Sequence, residues 1–210
     1  MQNQSAVKNW ALGNELSILE DIHQEDINIA IYKREVKQLE PVISKLLAND
    51  LEFRASGDIA DILDQLNKEL GPEAESLIKD AAELLANFKH FSGAESFRFL
   101  LATVKTDMCR KFHTDINDLR LLCTYSGPGT LWLTEENANR IALGAYGGNE
   151  SIVRDEKQIR QAGTGDVLVL KGAVYPKDKT KAVVHRSPTI QDKGLKRLVL
   201  RIDTNEFLNF

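Results

Sequence analysis

Several things are scarce in this chain, and each scarcity excludes a class of protein. Of 210 residues only two are cysteine, Cys109 and Cys123. That is too few for a disulfide scaffold and in keeping with a reducing cytoplasm. No apolar run approaches the roughly 18 residues of a membrane span. Met1-Gln2-Asn3-Gln4-Ser5 lacks the basic-then-apolar order of a secretory leader, so a cytoplasmic protein without a membrane partner is expected. Internal repeats and low-complexity tracts are missing. So are the Gly-x-Gly-x-x-Gly fingerprint, the phosphate loop and the nucleophile elbow, which removes the common dinucleotide, nucleoside-triphosphate and serine-hydrolase readings. With 42% hydrophobic and 28% charged residues, what remains is an ordinary globular composition.

Charge is unevenly spread. Residues 1–100 carry 10 basic and 18 acidic side chains (−8), and residues 101–210 carry 17 and 13 (+4), which together give the net −4. Between Lys171 and Arg201 nine basic residues face only Asp178 and Asp192. Such a segment attracts anions, so an anionic small molecule or peptide is an expected ligand. The acidic first half argues against long nucleic-acid duplexes, which need many phosphate contacts. Oligomeric state is left open, a homodimer included.

Periodicity divides the chain near residue 95. Val36, Leu39, Val42, Ile43 and Leu46 recur at helical spacing. Asp58 is placed to cap a second helix carrying Ile59, Ile62, Leu63 and Leu66. Gly71 stops it, and Pro72 opens a third that runs to Phe88. A strand, Ile27 to Tyr32, precedes all three. From Phe97 onward the pattern changes to short alternating runs: Leu119 to Tyr125, Thr130 to Leu133, Asp166 to Leu170, Ala182 to His185 and Leu195 to Ile202. Gly127-Pro128-Gly129, Gly147-Gly148-Asn149, Gly163-Thr164-Gly165-Asp166 and Lys193-Gly194 separate them. Residues 135–160 are polar, with a strand pair and a loop over the barrel mouth expected there. The predicted architecture is α+β: a mainly helical layer formed by residues 1–95, packed on a β-barrel or jelly roll formed by residues 96–210.

Within this frame Phe112-His113-Thr114-Asp115 stands out. On a strand, His-x-Asp puts an imidazole and a carboxylate on one face, because side chains alternate. A second histidine, His185 in Val184-His185-Arg186-Ser187-Pro188, follows 72 residues later. Two histidines and one carboxylate form the facial triad that leaves open positions on Fe(II). The bland alternative is one exposed histidine, one buried and hydrogen-bonded, and Asp115 capping a turn with Asn117 and Asp118.

The order of these features, with Gly194-Leu195-Lys196-Arg197 opening a further apolar strand, resembles the double-stranded β-helix (jelly-roll, cupin-like) core of Fe(II)- and 2-oxoglutarate-dependent oxygenases, particularly the prolyl-hydroxylase-like branch. The resemblance implies iron at His113, Asp115 and His185. It also implies 2-oxoglutarate with its far carboxylate on Arg197, or on Arg201 one strand repeat further along the same face. Tyr125, with Thr130 and Trp132, is expected to line the interior and completes the cofactor-binding set. Cys109-Arg110-Lys111-Phe112-His113-Thr114-Asp115, Gly127-Pro128-Gly129-Thr130 and His185-Arg186-Ser187-Pro188 also resemble the bacterial family known as domain of unknown function 1826. That likeness covers nearly the whole chain and implies no reaction. It keeps open an alternative, a non-enzymatic cupin-like metal-binding protein of zinc homeostasis, in which Cys109 and Cys123 offer soft ligands beside the histidines.

Overall fold

The computed structural model describes residues 8–176 and 181–204. Seven strands make one large sheet. In chain order they are β1 (Trp10–Gly13), β2 (Ile29–Tyr32), β3 (Glu52–Gly57), β4 (Phe97–Val104), β5 (Leu119–Ser126), β8 (Val167–Lys171) and β10 (Arg197–Thr204). Their spatial order is β1-β2-β8-β5-β10-β4-β3, antiparallel throughout except for the β1–β2 pair. A small sheet joins β7 (Arg160–Gln161), β6 (Leu131–Trp132) and β9 (His185–Arg186) in that order.

Alternation along the strands assigns the two faces of the large sheet. Phe97, Phe99 and Leu101 of β4, Leu119, Leu121, Cys123 and Tyr125 of β5, and Leu198, Leu200 and Ile202 of β10 share one apolar core with the helices. Those helices are α1 (Glu40–Ala48), α2 (Ile59–Leu70) and α3 (Glu75–Ser92). α2 begins where expected: Asp58 Oδ1 accepts from the Asp61 backbone N–H at 2.9 Å, satisfying one of the open donors of the first turn. Gly71, at φ 71°, ends it. α3 buries Leu77, Ile78, Ala81, Leu84, Leu85 and Phe88, and each such large side chain contributes about 1.5–3 kcal/mol.

The other face of the sheet meets the small sheet. Ile29 and Ile31 of β2 and Leu168 and Leu170 of β8 pack with Trp132 of β6, Ala162 and Val183. From β4 on, the chain passes back and forth between the sheets: β4, a bridge at His113, β5, β6, β7, β8, β9, β10.

The three helices that periodicity suggests are all present, and β1, β2 and β3 from the same region extend the large sheet at both ends. β1 and β3 escape sequence reading because they are edge strands, β1 only four residues long and β3 largely polar. In β3 only Phe53 is fully buried. Residues 135–160 correct the expected strand pair: α4 (Arg140–Gly144), α5 (Asn149–Ile152) and a 3-10 turn at Glu156–Gln158 occupy them. Asn139 caps α4 by accepting from the Ala142 N–H. No helix among the described residues is long and apolar enough to cross a membrane.

Candidate metal centre

His113 and His185 face each other in an antiparallel bridge. His113 N–H donates to His185 O and His185 N–H to His113 O, both at 3.0 Å. In such a doubly bonded pair the two side chains leave the sheet on the same side. The rings accordingly lie 4.7 Å apart, centroid to centroid. Beneath them Phe112 and Val184 sit in a separate core with Leu133, Ala138, Ile152 and Val153. Asn149, opening α5, accepts from the Phe112 N–H at 2.8 Å and donates to Arg110 O at 2.9 Å. The short helices thus buttress the His113 segment.

Asp115 does not lie on a strand with His113, as expected, but in the loop 114–118. Its position comes from a second set of backbone bonds. Ala173 N–H donates to Asp115 O at 2.8 Å, Val174 N–H to Asn117 O at 3.1 Å and Gly172 N–H to Asp118 O at 2.7 Å. The approach is so close that a Cβ on Gly172 would stand 2.0 Å from Asn117 O, and only glycine fits there.

The three side chains converge: one donor atom from each of His113, Asp115 and His185 lies within 4.8 Å of the others. His113 Nε2 is 3.5 Å from Asp115 Oδ1, and His185 Nε2 is 3.3 Å from Asp115 Oδ2. On the far side of each ring Nδ1 meets the carbonyl two residues earlier, Lys111 O at 2.9 Å and Val183 O at 3.3 Å. A carbonyl can only accept, so it fixes the proton on Nδ1 and leaves the Nε2 lone pair for the centre, the arrangement typical of metal-ligating histidine. Two imidazoles with free lone pairs and one ionised carboxylate fit a divalent iron or zinc.

Electrostatics keep Asp115 ionised. Its burial alone would raise the pKa. Hydrogen bonds from His113 and His185, made when Nε2 is protonated and no metal holds it, reverse that together with the charge of Arg120 and hold it well below the usual carboxylate range. The Asp115 contact likewise raises the His113 pKa against the lowering effect of burial. Arg120 links the site to the sheet. Nη1 reaches Asp115 Oδ2 and Nε reaches Asp203 Oδ1, both at 2.5 Å. Asp203 also accepts from Asn117 Nδ2 at 3.2 Å.

A cleft of about 510 Å³, open solvent included, is lined by His113 and His185 together with Arg120, Arg186, Arg197 and Arg201, and by no carboxylate. Arg197 is 2% exposed. Its Nη2 donates to Thr124 Oγ1 at 3.0 Å, and its Nε has no partner. With no carboxylate paired to it among the described residues, burial draws its pKa down to about 10. Arg201 differs in having an acid beside it, with Nε 3.2 Å from Asp203 Oδ2. Thr130 lines the cleft and Trp132 packs between the sheets.

Tyr125 is placed elsewhere, and the expectation that it lines the interior is corrected. It shares parity with Leu121 and Cys123, so its ring enters the helix-side core and its hydroxyl donates to Asp80 Oδ2 at 2.6 Å. Cys123, on that same face, is fully buried, and its thiol is pushed up to about 12 by burial. Cys109 is exposed. Neither belongs to the cluster of metal donors, although Cys109 lines the same cleft as the two histidines. Of the basic segment, Lys171 is buried, with Nζ donating to Gln24 O at 2.9 Å, while Lys177 and Lys179 lie outside the described residues. Arg120 and Asp203 went unread in the sequence. The signal for Arg120 was its opposite parity to Leu119, Leu121 and Cys123.

A family model described as Protein of unknown function (DUF1826) matches residues 13–203. The chain belongs to that family. No curated protein matches this family member in sequence. Among solved structures it is similar to the dioxygenase for auxin oxidation 1 from Arabidopsis thaliana, in binary complex with 2-oxoglutarate. There the TM-score is 0.53 at 10% identity, covering 94% of this chain and 92% of that one. The rice dioxygenase for auxin oxidation gives 0.53 at 14% identity, over 94% and 82%. A Pseudomonas putida prolyl-4-hydroxylase aligns at 0.43 with 11% identity, over 89% and 96%. At these identities the first two likenesses speak for a shared fold, and the third is too distant to add to it.

Proposed function

We propose that this member of the DUF1826 family is an Fe(II)- and 2-oxoglutarate-dependent oxygenase-like protein that hydroxylates a small-molecule or peptide substrate of anionic character. Its core, residues 96–210, is read as a double-stranded β-helix on which the mainly helical residues 1–95 pack. The chain's alternation between two antiparallel sheets from β4 to β10 supports that fold, as does the likeness to the two auxin-oxidising dioxygenases.

One observation carries the functional reading. A buried guanidinium without a carboxylate shares a cleft with the two imidazoles of a His-Asp-His cluster. A buried cation without a counter-ion is costly unless a ligand brings one. A dicarboxylate held at the metal by one end presents such a group at the other. His113 and His185 would hold iron through Nε2 and Asp115 through a carboxylate oxygen. Arg197, steadied by Thr124, would take the far carboxylate of 2-oxoglutarate in paired hydrogen bonds. Arg120 engages Asp115 Oδ2 and so fixes the orientation of that carboxylate. When bound, iron with 2-oxoglutarate supplies oxidation by dioxygen, and the chain supplies orientation, charge and exclusion of water.

The same donors suit zinc, as a metal-homeostasis protein would require, but zinc binding gives Arg197 no task. Anaerobic titration with Fe(II) and then 2-oxoglutarate separates the readings. The expected result is the weak visible band of an iron-chelated keto acid, with 2-oxoglutarate affinity at least tenfold weaker in Arg197→Gln while iron is still bound. Tight zinc binding, with no band and no response to 2-oxoglutarate, would overturn the oxygenase reading.

A further inference from the structure

We propose that the cleft continues across β10, β4 and β3 into a cationic groove that binds an oxyanion, phosphate or carboxylate, carried by the substrate. That the anion belongs to a substrate rests on the oxygenase reading; anion binding by the groove does not.

The groove holds about 910 Å³, open solvent included, and is lined by Arg54, Ser56, Gln65, Arg98, Leu100 and Arg201. It shares Leu100 and Arg201 with the cleft at the histidines, so one extended molecule can occupy both. Arg54, Arg98 and Arg201 project from neighbouring strands, because β3, β4 and β10 are adjacent and the alternate residues Phe53, Phe99 and Ile202 turn to the helix side. In register Leu100 stands opposite both Arg54 and Arg201, and Arg98 stands opposite Asp203.

Acidic groups here are few and already engaged. Asp203 is held by Arg120 and Asn117 before Arg201 reaches it, and Glu52 pairs with Arg54 at 3.0 Å in an exposed contact. Arg98 has no ion pair among the described residues. The Nε of Arg98 is buried without a hydrogen-bond partner, while that of Arg201 has only the shared Asp203 carboxylate at 3.2 Å. Burial lowers the Arg201 pKa by more than Asp203 raises it, and repulsion from Arg120, Arg54 and Arg98 adds to the lowering.

Protection of an exposed sheet edge explains Arg54, which lies on the terminal strand. It does not explain Arg98 and Arg201, which lie on interior strands, where like charges near one another are unfavourable. A planar guanidinium presents a fork of donors that matches the paired oxygens of carboxylate and phosphate. Three such groups around one depression, that of Arg98 with a partnerless Nε donor, make a receptor for an oxyanion.

Calorimetric titration of the full chain with inorganic phosphate and, separately, malonate, at ionic strength held with sodium chloride, tests this. Saturable binding of at least one anion is expected, and whichever binds more tightly identifies the oxyanion class. Arg98→Gln should weaken that binding tenfold or more. Arg54→Gln, a change at an exposed side chain, should weaken it several-fold and serves if Arg98→Gln does not fold. In Arg197→Gln, which removes any carboxylate held at the neighbouring 2-oxoglutarate position, the binding that depends on Arg98 should persist. Binding that is lost in Arg197→Gln, or untouched by both groove variants, would overturn the groove, as would no binding of either anion. Anion binding that depends on Arg98 in a protein showing no iron–2-oxoglutarate band would support the groove while removing the oxygenase reading.

Discussion

Arginines lie against both faces of the large sheet, and the two faces treat them oppositely. On the helix side Arg34 is closed off. Nη1 and Nη2 meet Asp80 Oδ1 and Oδ2 at 2.5 and 2.9 Å, Nε donates to Gly165 O at 3.0 Å, and Tyr125 donates to the same Asp80. On the cleft side Arg197 is more deeply placed but has one hydroxyl for company, and Arg98 has an idle Nε donor. A satisfied buried ion pair holds elements together, whereas an unsatisfied one is retained at a cost that a ligand removes. The contrast separates groups that tie α3 to the sheet from groups that wait for an anion.

Substitutions can break that contrast, and they rank by their effect on stability. Asp80→Ala should be the most damaging, at about 3–5 kcal/mol, because it strands Arg34 and the Tyr125 hydroxyl in the helix-side core. Urea unfolding measures it, and a loss below about 1 kcal/mol would show that water reaches the pair. Gly172→Ala should follow, at about 1–3 kcal/mol, the range for forcing extra volume into packed structure. Because the displaced neighbour is the loop bearing Asp115, metal affinity should fall about tenfold or more with it. Unchanged affinity in competition with a chelator would separate the loop from the site. Arg197→Met should change stability least, by about 1 kcal/mol or less and in either direction, since replacing a buried charge by an apolar chain of similar length is often neutral or stabilising. A loss as large as that of Asp80→Ala would mean that Arg197 is structural, and the two faces would no longer differ in kind.

Much of this arrangement was legible in the sequence where a single periodicity dominates. Asp58 and Gly71 bound α2 as their chemistry requires, and the alternating runs of β4, β5, β8 and β10 appear within a few residues of their expected limits. The order His113, Asp115, His185, Arg197 also foretold which residues would approach one another. What stayed hidden depends on contacts distant in the chain. Asp115 is positioned by Ala173 and Gly172 rather than by strand alternation, and nothing local to it signals that. Tyr125 was readable but misassigned: its parity with Leu119 and Leu121 puts it with the helices. Residues 135–160 form short helices anchored by single asparagines, Asn139 and Asn149, too brief for a periodic signal.

The paired backbones of His113 and His185 carry one more consequence, for folding. The two ligands are 72 residues apart in the chain, so a metal bound to both closes a long loop, whose entropy the unfolded chain would otherwise keep. Neither ligand has the other nearby until β9 docks against the His113 segment, so the centre is expected to assemble only once that long loop has closed. A bound ion would therefore act as a clasp on a finished fold. It would slow the opening of the small sheet, and with it hydrogen exchange at the His113 and His185 amides, far more than it would alter the helical layer.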